Sequence, residues 1–482
     1  MRTILAVSVL ILPLAPALAS AQDAVDAGVV QISSDPYTNT DSQHATQVEP
    51  DIESSGSTLV ATFQSGRFFD GGSSNIGWST SQDGGFTWVD GFIPGLTING
   101  EPPGPLGRAS DPSVAYDAKH DHWIIAVLGL QGTTGVGVGT SVSMDGGLTF
   151  SQPHAVAYKP SGFYDKSWIG CDNFPESPFY GNCYVTWDDA NLGDRLLMST
   201  STDGGITWGP KISPQGNPSG LGGQPLARPD GIVGVPASDG GSLFIFGSLN
   251  GGQSWTPTKP IASLITHSVA GGLRTSTYLP STGVDGAGKF YVVWPDCRFR
   301  VGCSSNDIVM STSTNGTTWT SPVRIPIDPP NSTVDHFIPG LGVDPTTSGG
   351  SARLALTYYY YPNANCSFAT CQLDVGFIAS SDGGATWSAS QQVAGPMLLS
   401  DIADTNQGRM VGDYTSTSFA GPNAVSVFSL ATAKMGQTFH QATYSATFPV
   451  TEAEAYTRPV VKDPILTFDG EPIVRTYPFL EP

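Results

Sequence analysis

Ser79-Thr-Ser-Gln-Asp83-Gly-Gly-Phe-Thr-Trp88 is the stretch that decides the fold, because it returns along the whole chain. Ser141 to Phe150 repeats it around Asp145, and Ser199 to Trp208 repeats it around Asp203. Ser248 to Trp255 (Asn250), Ser311 to Trp319 (Asn315) and Ala379 to Trp387 (Asp382) carry looser copies, and Ser429 to Phe439 a degraded echo. From start to start the copies lie 62, 58, 49, 63 and 68 residues apart. A period of that length means one supersecondary unit used repeatedly, not a string of unrelated domains. Asp or Asn before Gly-Gly is a tight hairpin signal, since glycine takes the positive φ and the side chain bonds turn amides.

Upstream of each turn lie alternating apolar runs such as Leu59-Val-Ala-Thr-Phe63 and Lys289-Phe-Tyr-Val-Val-Trp294. About four short strands per repeat, joined as a meander, define a propeller blade. The chain is therefore expected to be all-β: a propeller of four-stranded antiparallel blades, seven favoured and six the alternative.

Composition agrees. Of 482 residues 58 are Gly and 38 Pro, and only 13% are charged, too few for the wet faces of a helical bundle. Hydrophobic residues at 39% exclude disorder. Lys+Arg 21 against Asp+Glu 41 gives −20, the wrong sign for nucleic acid.

Arg2, the apolar run Ile4 to Leu18 and the small residues at Ala17, Ala19 and Ala21 read as an export signal. No later stretch is long and apolar enough to span a membrane as a helix. The expected division is a signal peptide over 1–21 and an N-terminal segment over 22–47, whose Val29-Val30-Gln31-Ile32 run could close the last blade. The propeller covers 48–450 and a tail 451–482. Six cysteines in three close pairs suit an oxidising compartment, so the protein is expected to be secreted, extracellular or periplasmic. Local pairing gives Cys171 with Cys183, Cys297 with Cys303 and Cys366 with Cys371.

The Ser-x-Asp-Gly-Gly-x-Thr-Trp copies resemble the Asp boxes of the sialidase superfamily, the bacterial neuraminidase repeat, over roughly residues 48–440. The resemblance implies a secreted glycan-acting propeller, best read as an exo-type glycoside hydrolase. The alternative is a noncatalytic glycan- or protein-binding propeller. In such a blade every box turn falls on one face, and the first-strand starts gather with the second-to-third-strand loops on the other. That second face collects both charge signs around the channel mouth: Glu49, Asp111, Asp165, Lys166 and Asp413 at strand starts, Asp188, Asp189 and Asp296 at loops. Converging polar groups in a concavity are the default hypothesis for a site.

By resemblance, Val60 to Arg67 and its Asp-containing loop point to Asp70 as acid/base. Gly412-Asp413-Tyr414-Thr415-Ser416 points to Tyr414 as nucleophile, with Asp230 standing in for the missing Glu partner. Arg67, Arg108, Arg228, Arg274 and Arg409 are the candidate grips for an anionic or polar glycan. The family's first Arg-Ile-Pro motif reads Val48-Glu49-Pro50 here, and no Glu lies between Glu176 and Glu452, so specificity altered from true sialidases is implied. Trp187 and Trp294 end second strands, either as sugar platforms or as packing between blades. No spaced ligand set marks a metal site, though an acidic mouth could still take calcium. No cofactor is expected.

Overall fold

The computed structural model describes residues 28–276 and 278–450. The signal peptide and the C-terminal tail read from the sequence lie outside them. Among the described residues there are strands and isolated 3-10 turns but no α-helix.

The strands fall into seven successive units. Unit 1 comprises Gln43–Ser55, Thr58–Arg67, Ser73–Ser81 and Val89–Phe92, and unit 2 comprises Arg108–Asp117, His122–Gln131, Thr134–Ser143 and His154–Tyr158. Unit 3 has three strands, Tyr164–Cys171, Cys183–Asp189 and Arg195–Ser201, with Ile212 bridging Met198 at its outer edge. Unit 4 is Leu226–Ala227, Val233–Ser238, Ser242–Ser248 and Lys259–Ser263, and unit 5 is Ser281–Val284, Phe290–Asp296, Asp307–Ser313 and Val323–Arg324. Unit 6 is Asp335–Val343, Leu354–Tyr361, Gln372–Ser380 and Gln391–Leu398. Unit 7 is Ser416–Ala420, Asn423–Met435 and Thr438–Pro449, whose last strand pairs antiparallel with Val29–Gln31. Within each unit successive strands are antiparallel neighbours.

The first strand of each unit lies against the first strand of the next, and that of unit 7 lies against that of unit 1. The repeated turns tie the same neighbours together. In the first, Asp83 Oδ1 accepts from the Thr87 amide at 2.9 Å, and Ser81 Oγ accepts from the Gly85 amide at 2.9 Å. The Trp88 indole donates to Gly85 O at 3.0 Å. The second glycine presses on the preceding unit: a Cβ on Gly205 would stand 2.8 Å from Ile124 Cδ1 of unit 2. On Gly85 it would stand 3.0 Å from Thr447 Oγ1 of unit 7, so unit 1 leans on unit 7 as unit 3 leans on unit 2.

Apolar layers fill the spaces between units. Trp187, fully buried, packs with Ile124 and Leu128 of unit 2 and Val185 of unit 3. Trp294, equally buried, packs with Leu243 and Ile245 of unit 4 and Val309 of unit 5. Neither is a sugar platform. A pleated strand alternates its side chains, and these two indoles point into the layer between sheets rather than off the strand end.

All three cysteine pairs form as the spacing predicted. Cys171–Cys183 joins the first two strands of unit 3, and the other two close loops between second and third strands.

Candidate functional site

Four first strands carry the same irregularity. Their pairing registers shift between Val48 and Asp51, Ser110 and Ser113, Asp165 and Trp168, and Phe337 and Gly340. Within the shifts Glu49, Asp111, Lys166 and Ile338 hold positive φ of 56°, 47°, 42° and 49°. Left-handed backbone costs a non-glycine residue about 1 kcal/mol or more. Three of the four residues held there are charged, and these three stand in one buried group.

That group is built from the first strands of units 1, 2 and 3, the second strands of units 1 and 3, Asp413 and Tyr414 just ahead of the first strand of unit 7, and Arg274 ahead of that of unit 5. Gln64 donates to Glu49 and, at 3.1 Å, to Ser110 Oγ. Arg274 binds Asp413 through two hydrogen bonds, Nε to Oδ1 at 3.0 Å and Nη2 to Oδ2. Arg67, buried, donates to Gly72 O at 2.9 Å. Lys166 Nζ lies 3.9 Å from Asp111 Oδ1, 3.6 Å over the Tyr414 ring and 4.5 Å over Trp168, with no hydrogen-bond acceptor. Neither carboxylate oxygen of Asp188, which is 1% exposed, has a hydrogen-bond partner.

Acids outnumber cations here, and their proton affinities show it. Burial first, then the charges of Asp111 and Asp413, push Glu49 up to about 8. Burial and Asp111 push the half-buried Asp165 up to about 7. Burial and Asp165 push Asp188 up to about 9. Asp413 goes the other way: burial would raise it, but the charge and hydrogen bonds of Arg274 hold it below the usual carboxylate range.

The remaining predicted residues sit elsewhere or are already engaged. Tyr414 lies in the group, but its hydroxyl donates to Pro112 O at 2.7 Å. Burial and the charge of Glu49 raise its proton affinity well above an ordinary tyrosine's. Asp70, nearly half exposed, pairs with Arg108 at 2.5 Å on the loop between the second and third strands of unit 1. Arg409 donates to Ile402 O at 2.8 Å on the hairpin Asp404–Thr405 and Gly408–Arg409.

Asp230 and Arg228 are on the wrong side of the molecule. They pair at 2.9 Å in the turn between the first two strands of unit 4, and Arg228 donates to Thr314 O inside a repeated turn of unit 5. Arg-Pro-Asp-Gly reads as a strand start in the sequence but folds as a turn, with Gly231 at φ 79° and its amide on Arg228 O at 2.9 Å. The first strand of unit 4 precedes it instead.

Sequence reasoning missed a second buried cluster. Arg300 binds Asp307 at 2.6 Å and Asp328 at 2.9 Å, and Arg324 binds Asp307 at 2.7 Å, with His336 beside them. Asp307, Asp328 and His336 bring one ligand atom each within reach of one ion. The two guanidinium groups already balance the two carboxylates, and burial holds His336 neutral, down to about 4. This is an ion-pair knot tying unit 5 to unit 6. Gln64 was missed as well, although it stands three residues before Arg67.

No protein-family model matches the chain, and no curated protein does. Among solved structures it is similar to a Dyadobacter fermentans protein of unknown function at 13% identity. That match covers 71% of this chain and 95% of the other, with a TM-score of 0.45. A sialidase of Streptococcus pneumoniae matches at 15% identity, over 86% of this chain and 70% of that one, with a TM-score of 0.43. An α-L-arabinanase of Penicillium chrysogenum matches at 13% identity, over 88% and 98%, with a TM-score of 0.44.

Proposed function

We propose that the chain is a secreted seven-bladed propeller, its last blade completed by Val29–Gln31, that hydrolyses glycosidic bonds at the axial mouth. One observation carries the reading: within a single buried group two carboxyl groups are driven in opposite directions. Asp165 is raised to about 7, and Asp413 is held ionised by Arg274. Pairs of carboxyls separated in this way are how glycosidases assign an acid and a charged partner.

Asp165, half-buried and protonated near neutral pH, is the proton donor to the leaving oxygen. Asp413 supplies the negative charge, as base or nucleophile, on the other side of the sugar. Burial and the charges of Asp111 and Asp413 keep Asp165 protonated. Tyr414 carries Lys166 on its ring face and positions it. The substrate is a polar glycan without a carboxylate, because the arginines that would grip one are bound to Asp413, Asp70, Asp230 and backbone carbonyls. That same engagement favours the second reading, a propeller that binds glycan without cleaving it.

The test is reducing-end release from a panel of neutral and acidic polysaccharides and aryl glycosides. Asp165→Asn and Asp413→Asn should each lower turnover by about 10²–10⁴-fold, the usual cost of losing a general acid or base. Asp230→Asn should leave turnover alone. Full activity in both axial variants ends the hydrolase reading, and binding without cleavage by the wild-type protein establishes the second.

A further inference from the structure

Three loops on the mouth face each present a phenylalanine to water from a rigid frame. Phe69 is 50% exposed, Phe299 39% and Phe368 47%. All three sit between the second and third strands of their units, in units 1, 5 and 6.

Each frame is fixed without help from its phenylalanine. Around Phe69, the Arg108 guanidinium lies 3.9 Å over the neighbouring Phe68 ring, and donates to Asp70 at 2.5 Å and to Gly71 O at 2.9 Å. Phe299 stands inside the Cys297–Cys303 ring, next to an Arg298 that grips Asp296 through two bonds of 2.8 and 2.6 Å. Phe368 stands inside the Cys366–Cys371 ring, whose closing amide, Cys371 N, donates to Ser367 O at 2.8 Å. Such loops would keep their shape with a polar residue at the tip, so packing does not account for the rings.

Two of the tips, Phe69 and Phe368, are also linked to the buried group. Phe69 O accepts from Asn406 N at 2.9 Å, and Arg409 on the same hairpin lies 5.5 Å over the Phe368 ring. The Arg274 amide then donates to Arg409 O at 2.7 Å, which leads from the platforms into the group that holds Asp413.

We propose that Phe69, Phe299 and Phe368 are stacking platforms for successive rings of a polysaccharide whose reacting bond lies at the mouth. The inference rests on the glycan reading above and specifies its substrate as a chain longer than the mouth can hold. An aromatic face meets the C–H face of a sugar ring, while charged neighbours such as Asp70, Arg108 and Arg298 meet its hydroxyls. A protein partner would need a contiguous apolar patch, whereas each of these rings has charged residues beside it, Asp70 and Arg108, Arg298, or Arg409.

Affinity electrophoresis through gels cast with arabinan, xylan, mannan or dextran tests the proposal. The wild-type protein should be retarded in at least one gel. Phe69→Ala/Phe299→Ala/Phe368→Ala should weaken that retardation by at least about tenfold with an unchanged melting temperature, since stacked faces of this kind each contribute near one decade. Asp413→Asn, carried in parallel, should stay retarded. If the wild-type protein runs freely in all four gels, or the triple variant is retarded as strongly as the wild type, the platforms are refuted. A triple variant altered only in self-association by sedimentation refutes them too, and makes the rim a contact between copies. Phe-dependent retardation without any cleavage upholds the platforms while the hydrolase reading fails.

Discussion

The aspartates of the repeated turns and those of the axial group are the same residue under opposite regimes. Asp83, Asp145, Asp203 and Asp382 are exposed or only part-buried, and their oxygens take hydrogen bonds from nearby Thr and Ser groups. The little burial they have is outweighed by those bonds, so all four sit below the ordinary carboxylate value. Glu49 and Asp188 are withdrawn from water and Asp165 is half-buried; all three are short of donors and crowded by other acids, and they sit well above it. A satisfied carboxylate at a lowered value holds structure. An unsatisfied one at a raised value costs stability, and a fold that keeps several together is spending that stability on something else.

The largest way to sharpen this contrast is pH. A buried acid with a raised value binds a proton in the folded chain that the unfolded chain has already released. Its contribution to stability is therefore present below the unfolded value and is lost as pH rises through the folded one. For Glu49 the loss runs from its ordinary 4.5 to about 8, and for Asp188 from 3.8 to about 9. Each group still protonated steepens the fall by up to about 1.4 kcal/mol per pH unit. Denaturant titrations at pH 6, 7 and 8 should show declining stability, and Asp188→Asn should flatten the decline. The turn aspartates act in reverse, losing stability only as pH falls through their lowered values. A curve flat from pH 6 to 8 would dissolve the distinction between the two sets.

A single ion pair gives the next effect. Arg274→Ala leaves Asp413 buried beside Glu49 and Asp111 with its counter-charge gone. Stranding a buried charge in this way costs about 3–5 kcal/mol. Arg228→Ala, on the opposite face, leaves behind an Asp230 that is 46% exposed and can be hydrated in its partner's place, so loss of that pair should cost under about 1 kcal/mol. Equal losses in the two variants would mean the axial group is no more desolvated than the surface.

Why the one set was legible in the sequence and the other only partly so follows from the range of the interactions. A turn is written within ten residues: Ser81, Asp83, Gly85, Thr87 and Trp88 bond one another, so the repeat could be read as turns, and an all-β chain from them. The axial group joins Glu49, Asp111, Lys166 and Asp413 across four units. Strand-start placement brought these residues to one face, but nothing local told which were partnered. Lys166 and Asp188 stand without hydrogen bonds because of what surrounds them in space. Asp230 went astray because its Arg-Pro-Asp-Gly run is itself a turn signal, and Trp187 because one residue of pleat decides between strand end and interior. The resemblance added roles to Asp70 and Tyr414, and the geometry turns them toward Arg108 and Pro112.

The smallest effect is the cleanest separation of the two regimes. Asp203→Ala removes the carboxylate that accepts from the Thr207 amide at 2.9 Å and from its hydroxyl at 2.6 Å, and leaves Ser201 Oγ to bond the Gly205 amide alone. The lost bonds are exposed to water, which replaces much of each, so the cost should be about 1 kcal/mol per bond or less. Gly205 still presses on Ile124, so unit 3 stays seated on unit 2. Calorimetry should show a modest fall in melting temperature, and turnover per folded molecule should match the wild-type protein. A turnover loss comparable to that of Asp413→Asn would place chemistry on the turn face and overturn the assignment of structure to one face and function to the other.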